Sequence, residues 1–166
     1  MHGTLRSFDE GVRTTLRQFL QRKLPLLPKE TAFAWGHVDD IARGHVLAME
    51  RGAAGRNYFL AGPAHTLIEA IDLASSITGV PAPRLRVPPG VLRGAAACAG
   101  VLERFVTLPS AYASESLRLL AGVTYLGSSA RAQQELGWTA RPLREGLTET
   151  LRVEMASLGM DTTATR

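Results

Sequence analysis

The chain has 166 residues, 45% hydrophobic and 20% charged, with 19 Lys and Arg against 15 Asp and Glu and a formal net charge of +4. That balance fits one globular unit with a real core and excludes a disordered chain. The basic residues are spread along the chain without a polybasic run or interleaved aromatics, which argues against a nucleic-acid surface. The single cysteine, Cys98, allows no internal disulfide and points to a reducing, cytoplasmic setting.

In chain order, Phe8 to Lys23 reads as an amphipathic helix with Val12, Leu16, Phe19 and Leu20 on one face, ended by Pro25 and Pro28. Thr31 to Val38 reads as a short strand with Phe33 and Trp35 on one side. Asp39 or Asp40 then caps a helix running to about Glu50, with Ile41, His45, Val46 and Met49 as its inner stripe. Asn57 to Ala61 is an apolar run without alternation, which predicts a strand covered on both faces and closed by Gly62-Pro63.

Thr66 and Glu69 match a capping box, and the helix behind them carries Leu67, Ala70, Ile71, Ala74 and Ile77 up to Gly79. Further on come a strand at Arg84 to Val87, a helix of small residues from Gly90 to Val106, and a shorter helix at Ser114 to Leu120. A strand at Val123 to Leu126 follows, then a helix capped by Ser128 or Ser129 and ending at Leu136-Gly137, and a last helix from Pro142 to about Leu158. The small, polar residues after Gly159 read as a disordered tail, leaving residues 1–158 as one domain. The most apolar stretch, Gly94 to Leu102, is far short of the roughly 20 residues needed to span a bilayer, and no secretory leader is visible. Strands alternating with helices predict an α/β fold.

Several local patterns recur in a fixed order: His37-Val38-Asp39-Asp40-Ile41-Ala42 with Gly44-His45, then Gly55-Arg56-Asn57-Tyr58-Phe59-Leu60-Ala61-Gly62, then Thr66-Leu67-Ile68-Glu69. Thr78-Gly79, Pro83 and Pro88 come next, and Ser128-Ser129-Ala130-Arg131-Ala132, Glu135-Leu136-Gly137-Trp138 and Pro142-Leu143-Arg144-Glu145-Gly146-Leu147 complete the set. Over roughly residues 10 to 155 this order resembles the carboxy-terminal half of the extended short-chain dehydrogenases/reductases, the NAD(P)-dependent epimerase/dehydratase family that includes dihydroflavonol-reductase-like proteins and sugar epimerases. The resemblance implies an incomplete Rossmann-type arrangement: mainly the smaller substrate domain, with Tyr58 to Ala61 as the last strand of the Rossmann sheet. It implies NAD or NADP as cofactor of the full-length enzyme.

The resemblance is truncated where the chemistry would lie. The family's cofactor loop is a glycine-rich turn between a strand and a helix, whose glycines let the backbone approach the pyrophosphate. No such turn occurs in the first 50 residues. The family's acid/base pair is a Tyr with a Lys four residues on; the positions four after Tyr58, Tyr112 and Tyr125 hold Gly62, Ser116 and Ser129. No catalytic, cofactor-binding or metal residue is therefore assigned, and no cofactor is expected to bind this chain alone.

The candidate substrate-binding residues are Phe33, Trp35, His37, Arg84 and Arg86. In nucleotide-sugar members an Arg stands four residues before the motif His; here that position is Phe33, which favours an apolar or unactivated substrate. The expected function is the substrate-binding portion of an NAD(P)-dependent epimerase, dehydratase or reductase, inactive alone, whose partner is a missing Rossmann half or a second copy. The alternative is a non-enzymatic interaction module reusing the half-fold.

Overall fold

The computed structural model describes residues 4–102 and 124–161. These residues hold five α-helices, five short strands and one π-helical turn. Helix α1 spans Thr4–Leu20 and begins four residues before the Phe8 expected from periodicity. Its predicted stripe holds: Leu16, Phe19 and Leu20 are buried and Val12 packs beside them. The helix stops at Leu20 rather than Lys23, because Arg22 turns into the left-handed region with φ 57°.

Strand β1 (Leu27–Pro28) and strand β4 (Arg86–Val87) pair in parallel as a two-stranded ribbon, with Leu27 opposite Arg86. A second sheet has the order β3-β2-β5, built from Ala32–Ala34 (β2), Ala64–Thr66 (β3) and Thr124–Tyr125 (β5). β2 runs antiparallel to β3 and parallel to β5. Trp35 N–H donating to the Pro63 carbonyl and Leu67 N–H donating to the Thr31 carbonyl extend the β2–β3 ladder at both ends.

Helix α2 (Val38–Arg51) is capped differently from expectation. His37 is the N-cap, its Nδ1 accepting from the Asp39 N–H at 3.4 Å, while Asp39 and Asp40 lie inside the first turn. The inner stripe is also corrected. Asp40 and Gly44 are buried, and Ile41, Leu47 and Ala48 pack on Trp138, Leu136 and Ala132; His45, Val46 and Met49 face outward. Two of the buried positions are a carboxylate and a glycine, so hydrophobicity alone selects the wrong face.

Asn57 to Ala61 has no regular secondary structure and joins neither sheet. Tyr58 and Leu60 pack toward Trp138 while Phe59 is exposed, so the run is covered on one side only. Helix α3 (Leu67–Thr78) has the predicted capping box, with Thr66 Oγ1 accepting from the Glu69 N–H and Glu69 accepting from the Thr66 N–H. Gly79 ends it at φ 71°.

Helix α4 covers Pro89–Leu102. The rest of the helix expected to Val106 and the helix expected at Ser114 to Leu120 lie outside the described residues. Ala132–Leu136 forms a π-helical turn closed by Gly137, and helix α5 is Leu143–Ser157. Gly159 N–H and Met160 N–H donate back to the Ala156 and Met155 carbonyls, and Met160 packs on the core. The expected disordered tail therefore does not begin at Gly159; residues 162–166 lie outside the described residues.

The main core joins α1, β1, α3 and α5, with Leu27, Ala70, Ile71, Ala74 and Leu151 fully enclosed. A second cluster sets Ala132, Leu136 and Trp138 against α2. No helix among the described residues is long and apolar enough to cross a membrane.

Candidate functional site

The densest polar constellation lies where the N-terminus of α2 meets the approach to α5. The Asp40 carboxylate accepts three hydrogen bonds from Arg141: from the backbone N–H at 2.9 Å, from Nε at 2.9 Å and from Nη2 at 3.1 Å. The Trp138 indole donates to the Asp40 carbonyl at 2.6 Å, and Arg43 donates to the Thr139 carbonyl at 2.6 Å. The Arg141 side chain holds the Asp40 pKa below the ordinary carboxylate value against the opposing pull of burial, and Asp40 in turn raises that of Arg141.

Arg141 also donates through Nη1 to Glu149 on α5 at 2.7 Å. His37, largely enclosed, stands between two carboxylates, with Nδ1 3.6 Å from Asp39 and Nε2 3.6 Å from Glu149. Its ring packs on Gly146, where an added Cβ would meet it at 3.5 Å. His37, Asp39 and Glu149 have the donor types of a divalent-cation site and lie close enough to share an ion. The Arg141 guanidinium is already on the Glu149 oxygen that faces His37, so the group fits an ion-pair network better than a metal. Glu145, Thr148, Glu149 and Arg152 line an open hollow of about 360 Å³ beside it.

Phe33 and Trp35 meet edge to face, with ring centroids 5.9 Å apart, and the Trp35 indole donates to the His65 carbonyl at 3.0 Å. Both are half-buried and pack on the main core. The structure thus gathers three of the five sequence candidates on one continuous stretch, β2 and the N-cap of α2. It does not bring Arg84 and Arg86 to them. Arg86 is on the other sheet and is held by Asp72 at 2.9 and 3.2 Å, while Arg84 is exposed at a bend before β4.

Sequence reasoning missed Arg141, Glu149 and the role of Asp40. The signal was there in part: an Asp-Asp pair at a helix start allows one cap and one buried acid, and a buried acid needs a cation. Which cation answers it depends on contacts about a hundred residues apart, such as Asp40 to Arg141.

No family model matches the chain. Sterol demethylase protein B from Methylococcus capsulatus is 32% identical over 108 residues, covering 64% of this chain and 33% of that protein. A solved structure, described as the crystal structure of gox2253, superposes with a TM-score of 0.72 at 27% identity, covering 90% of this chain and 45% of that one. The chain spans about a third of the length of the curated relative and under half of the solved structure.

These findings overturn the resemblance drawn from the ordered motifs. The similarity found is to a sterol demethylase protein B and to gox2253, with no match to a short-chain dehydrogenase/reductase or epimerase/dehydratase family, and the description of the chain in those terms falls with it. Each motif is a local solution of capping or turn chemistry, such as Thr66 with Glu69 or Gly137 after Leu136, which unrelated helices share.

Proposed function

We propose that this chain is the substrate-binding part of a longer or two-chain enzyme acting on a sterol-like, apolar small molecule, and that it does not turn over substrate alone. The observation that carries the reading is the similarity to sterol demethylase protein B, of which the chain matches only a third. Phe33 and Trp35 support it, since an edge-to-face aromatic pair on the strand that leads to His37 offers apolar contact to a ring system. His37, hydrogen-bonding with Asp39 and close to Glu149, is the polar group nearest in sequence that could orient a substrate hydroxyl.

In this reading the nicotinamide nucleotide, NAD or NADP, is held by polypeptide outside these 166 residues, and the enzyme works in the cytoplasm. The test is calorimetry on the purified chain with a methylated sterol, NADH and NADPH, followed by a turnover assay. Saturable binding of the sterol, with neither nucleotide bound and no turnover, is the expected result. Turnover by the isolated chain overturns the reading; absence of sterol binding moves the chain to the interaction-module alternative.

A further inference from the structure

The aromatic pair of β2 has no polar handle of its own to spare. A phenyl ring carries no hydrogen-bonding atom, and the Trp35 indole spends its N–H on the His65 carbonyl at 3.0 Å. The neighbouring strand supplies the handle. β3 runs antiparallel to β2 and sets His65 directly opposite Phe33. Residues paired in this way put their side chains on one face with Cβ atoms about 4.5–5.5 Å apart, and Trp35, two residues beyond Phe33, shares that face. All three are half-buried. They make one surface, two rings to carry an apolar skeleton and an imidazole at its edge.

The imidazole is prepared for one kind of partner. Its Nδ1 stands 3.6 Å from Glu69 Oε2. The capping box fixes that carboxylate, since the same oxygen accepts the Thr66 N–H at 2.8 Å, and this bond above all keeps the Glu69 pKa below its ordinary value. An ionised carboxylate beside Nδ1 draws the ring proton to that nitrogen and leaves Nε2 of the neutral ring with a lone pair. Among the described residues Nε2 has no hydrogen-bond or ion-pair partner, and the side chain is 37% exposed. His37 is placed otherwise. Its side chain is 10% exposed, its Nδ1 accepts from the Asp39 N–H, and its Nε2 faces Glu149 at 3.6 Å, so both nitrogens are engaged within the protein.

Resting on the reading of this chain as the substrate-binding part of an enzyme for a sterol-like molecule, we propose that His65, oriented by Glu69, is the residue that reads the substrate's hydroxyl while the ring system lies on Phe33 and Trp35. Glu69 is a positioning residue and does not touch the ligand. The geometry sets a specificity. A lone pair at Nε2 accepts a hydrogen bond and therefore favours a ligand that donates one. A sterol hydroxyl donates. The ketone obtained by oxidising it only accepts, and would leave two acceptors facing each other, so the site discriminates alcohol from ketone.

The test is calorimetry on the 166-residue chain at mildly alkaline pH, which keeps imidazole neutral, with a methylated sterol and with the ketone derived from it. The native chain is expected to bind the sterol at least about tenfold more tightly than the ketone. His65→Phe keeps a ring opposite Phe33 and is expected to bind the two ligands equally. Glu69→Gln keeps the capping box, which takes Glu or Gln at this position, and is expected to cut the preference to below about threefold because the ring proton is no longer held at Nδ1. His37→Asn keeps a side-chain acceptor at the N-cap of α2 and is the competing arm.

A native chain that binds both ligands equally, or a His65→Phe chain that keeps the full preference, overturns the proposal and leaves the reading of the chain intact. So does loss of the preference in His37→Asn but not in His65→Phe, which gives the role to His37. Weaker binding of both ligands by His65→Phe at an unchanged ratio marks a structural residue and overturns the proposal as well. A native chain that binds neither ligand overturns the reading itself and takes the proposal with it.

Discussion

At the scale of single residues, Asp39 and Asp40 are adjacent and chemically identical, and the fold uses them differently. Asp39 is exposed, whereas Asp40 is buried and takes three hydrogen bonds from Arg141. Replacing a buried, fully paired carboxylate removes charge-assisted bonds and leaves their donors facing a void. Asp40→Ala is expected to lower stability by about 2 kcal/mol in urea unfolding, against less than about 0.5 kcal/mol for Asp39→Ala. Equal effects from the two would show that the Arg141 junction holds nothing together. The sequence pattern marked one or the other as the cap. The actual cap, His37, was legible only as a polar residue before the helix, since a ring nitrogen is a rarer acceptor there than the Ser, Thr, Asp or Asn that the pattern favours.

At the scale of elements, helices whose buried face is aliphatic were legible. The stripe of α1 and the capped α3 appear at the residues that periodicity selects, because Leu16, Phe19, Ala70, Ile71 and Ala74 are both apolar and inward. α2 was misread because its inner face is completed by a glycine and an acid. Gly44 lets the helix approach Leu60 and Trp138: a Cβ there would stand 2.5 Å from a Leu60 methyl and 2.9 Å from the Trp138 indole nitrogen. Alanine normally favours a helix by about 1 kcal/mol over glycine, but overpacking costs about 1–3 kcal/mol. Gly44→Ala is therefore expected to lower the thermal midpoint; an unchanged or raised midpoint would mean that α2 and Trp138 are less tightly apposed than described. The strand expected at 57–61 failed for a different reason. Its composition was read correctly as apolar, but a strand is defined by its neighbours, and none among the described residues pairs with it.

At the scale of the whole molecule, the candidate site was half legible: β2 and His37 came from local pattern, while Arg141 and Glu149 required the tertiary fold. The same long-range pairing sets the acid response. Burial pushes the Glu154 pKa up, but hydrogen bonds from Arg17 and Arg13 outweigh it, and both Glu154 and Asp40 end below their ordinary values. A carboxyl whose folded pKa is depressed stabilises the fold fully above its unfolded value, and that contribution is lost as pH falls through the folded one. Stability should therefore be flat from neutral pH to about 5 and fall below about pH 4, where such carboxylates begin to protonate. Glu154→Gln should flatten that fall in a series of thermal melts; an identical acid profile in the variant would remove Glu154 from the account. The pair that Glu154 makes also has a temporal side. Arg13 and Arg17 of α1 meet it across 141 and 137 residues of sequence, and Leu16 and Phe19 share one core with Leu147, Leu151 and Met155. On the ribosome, α1 can meet β1 and α3 early, but its side of the core is completed only when α5 has cleared the exit tunnel. Nascent chains stalled before residue 143 should thus be the ones that chaperones hold.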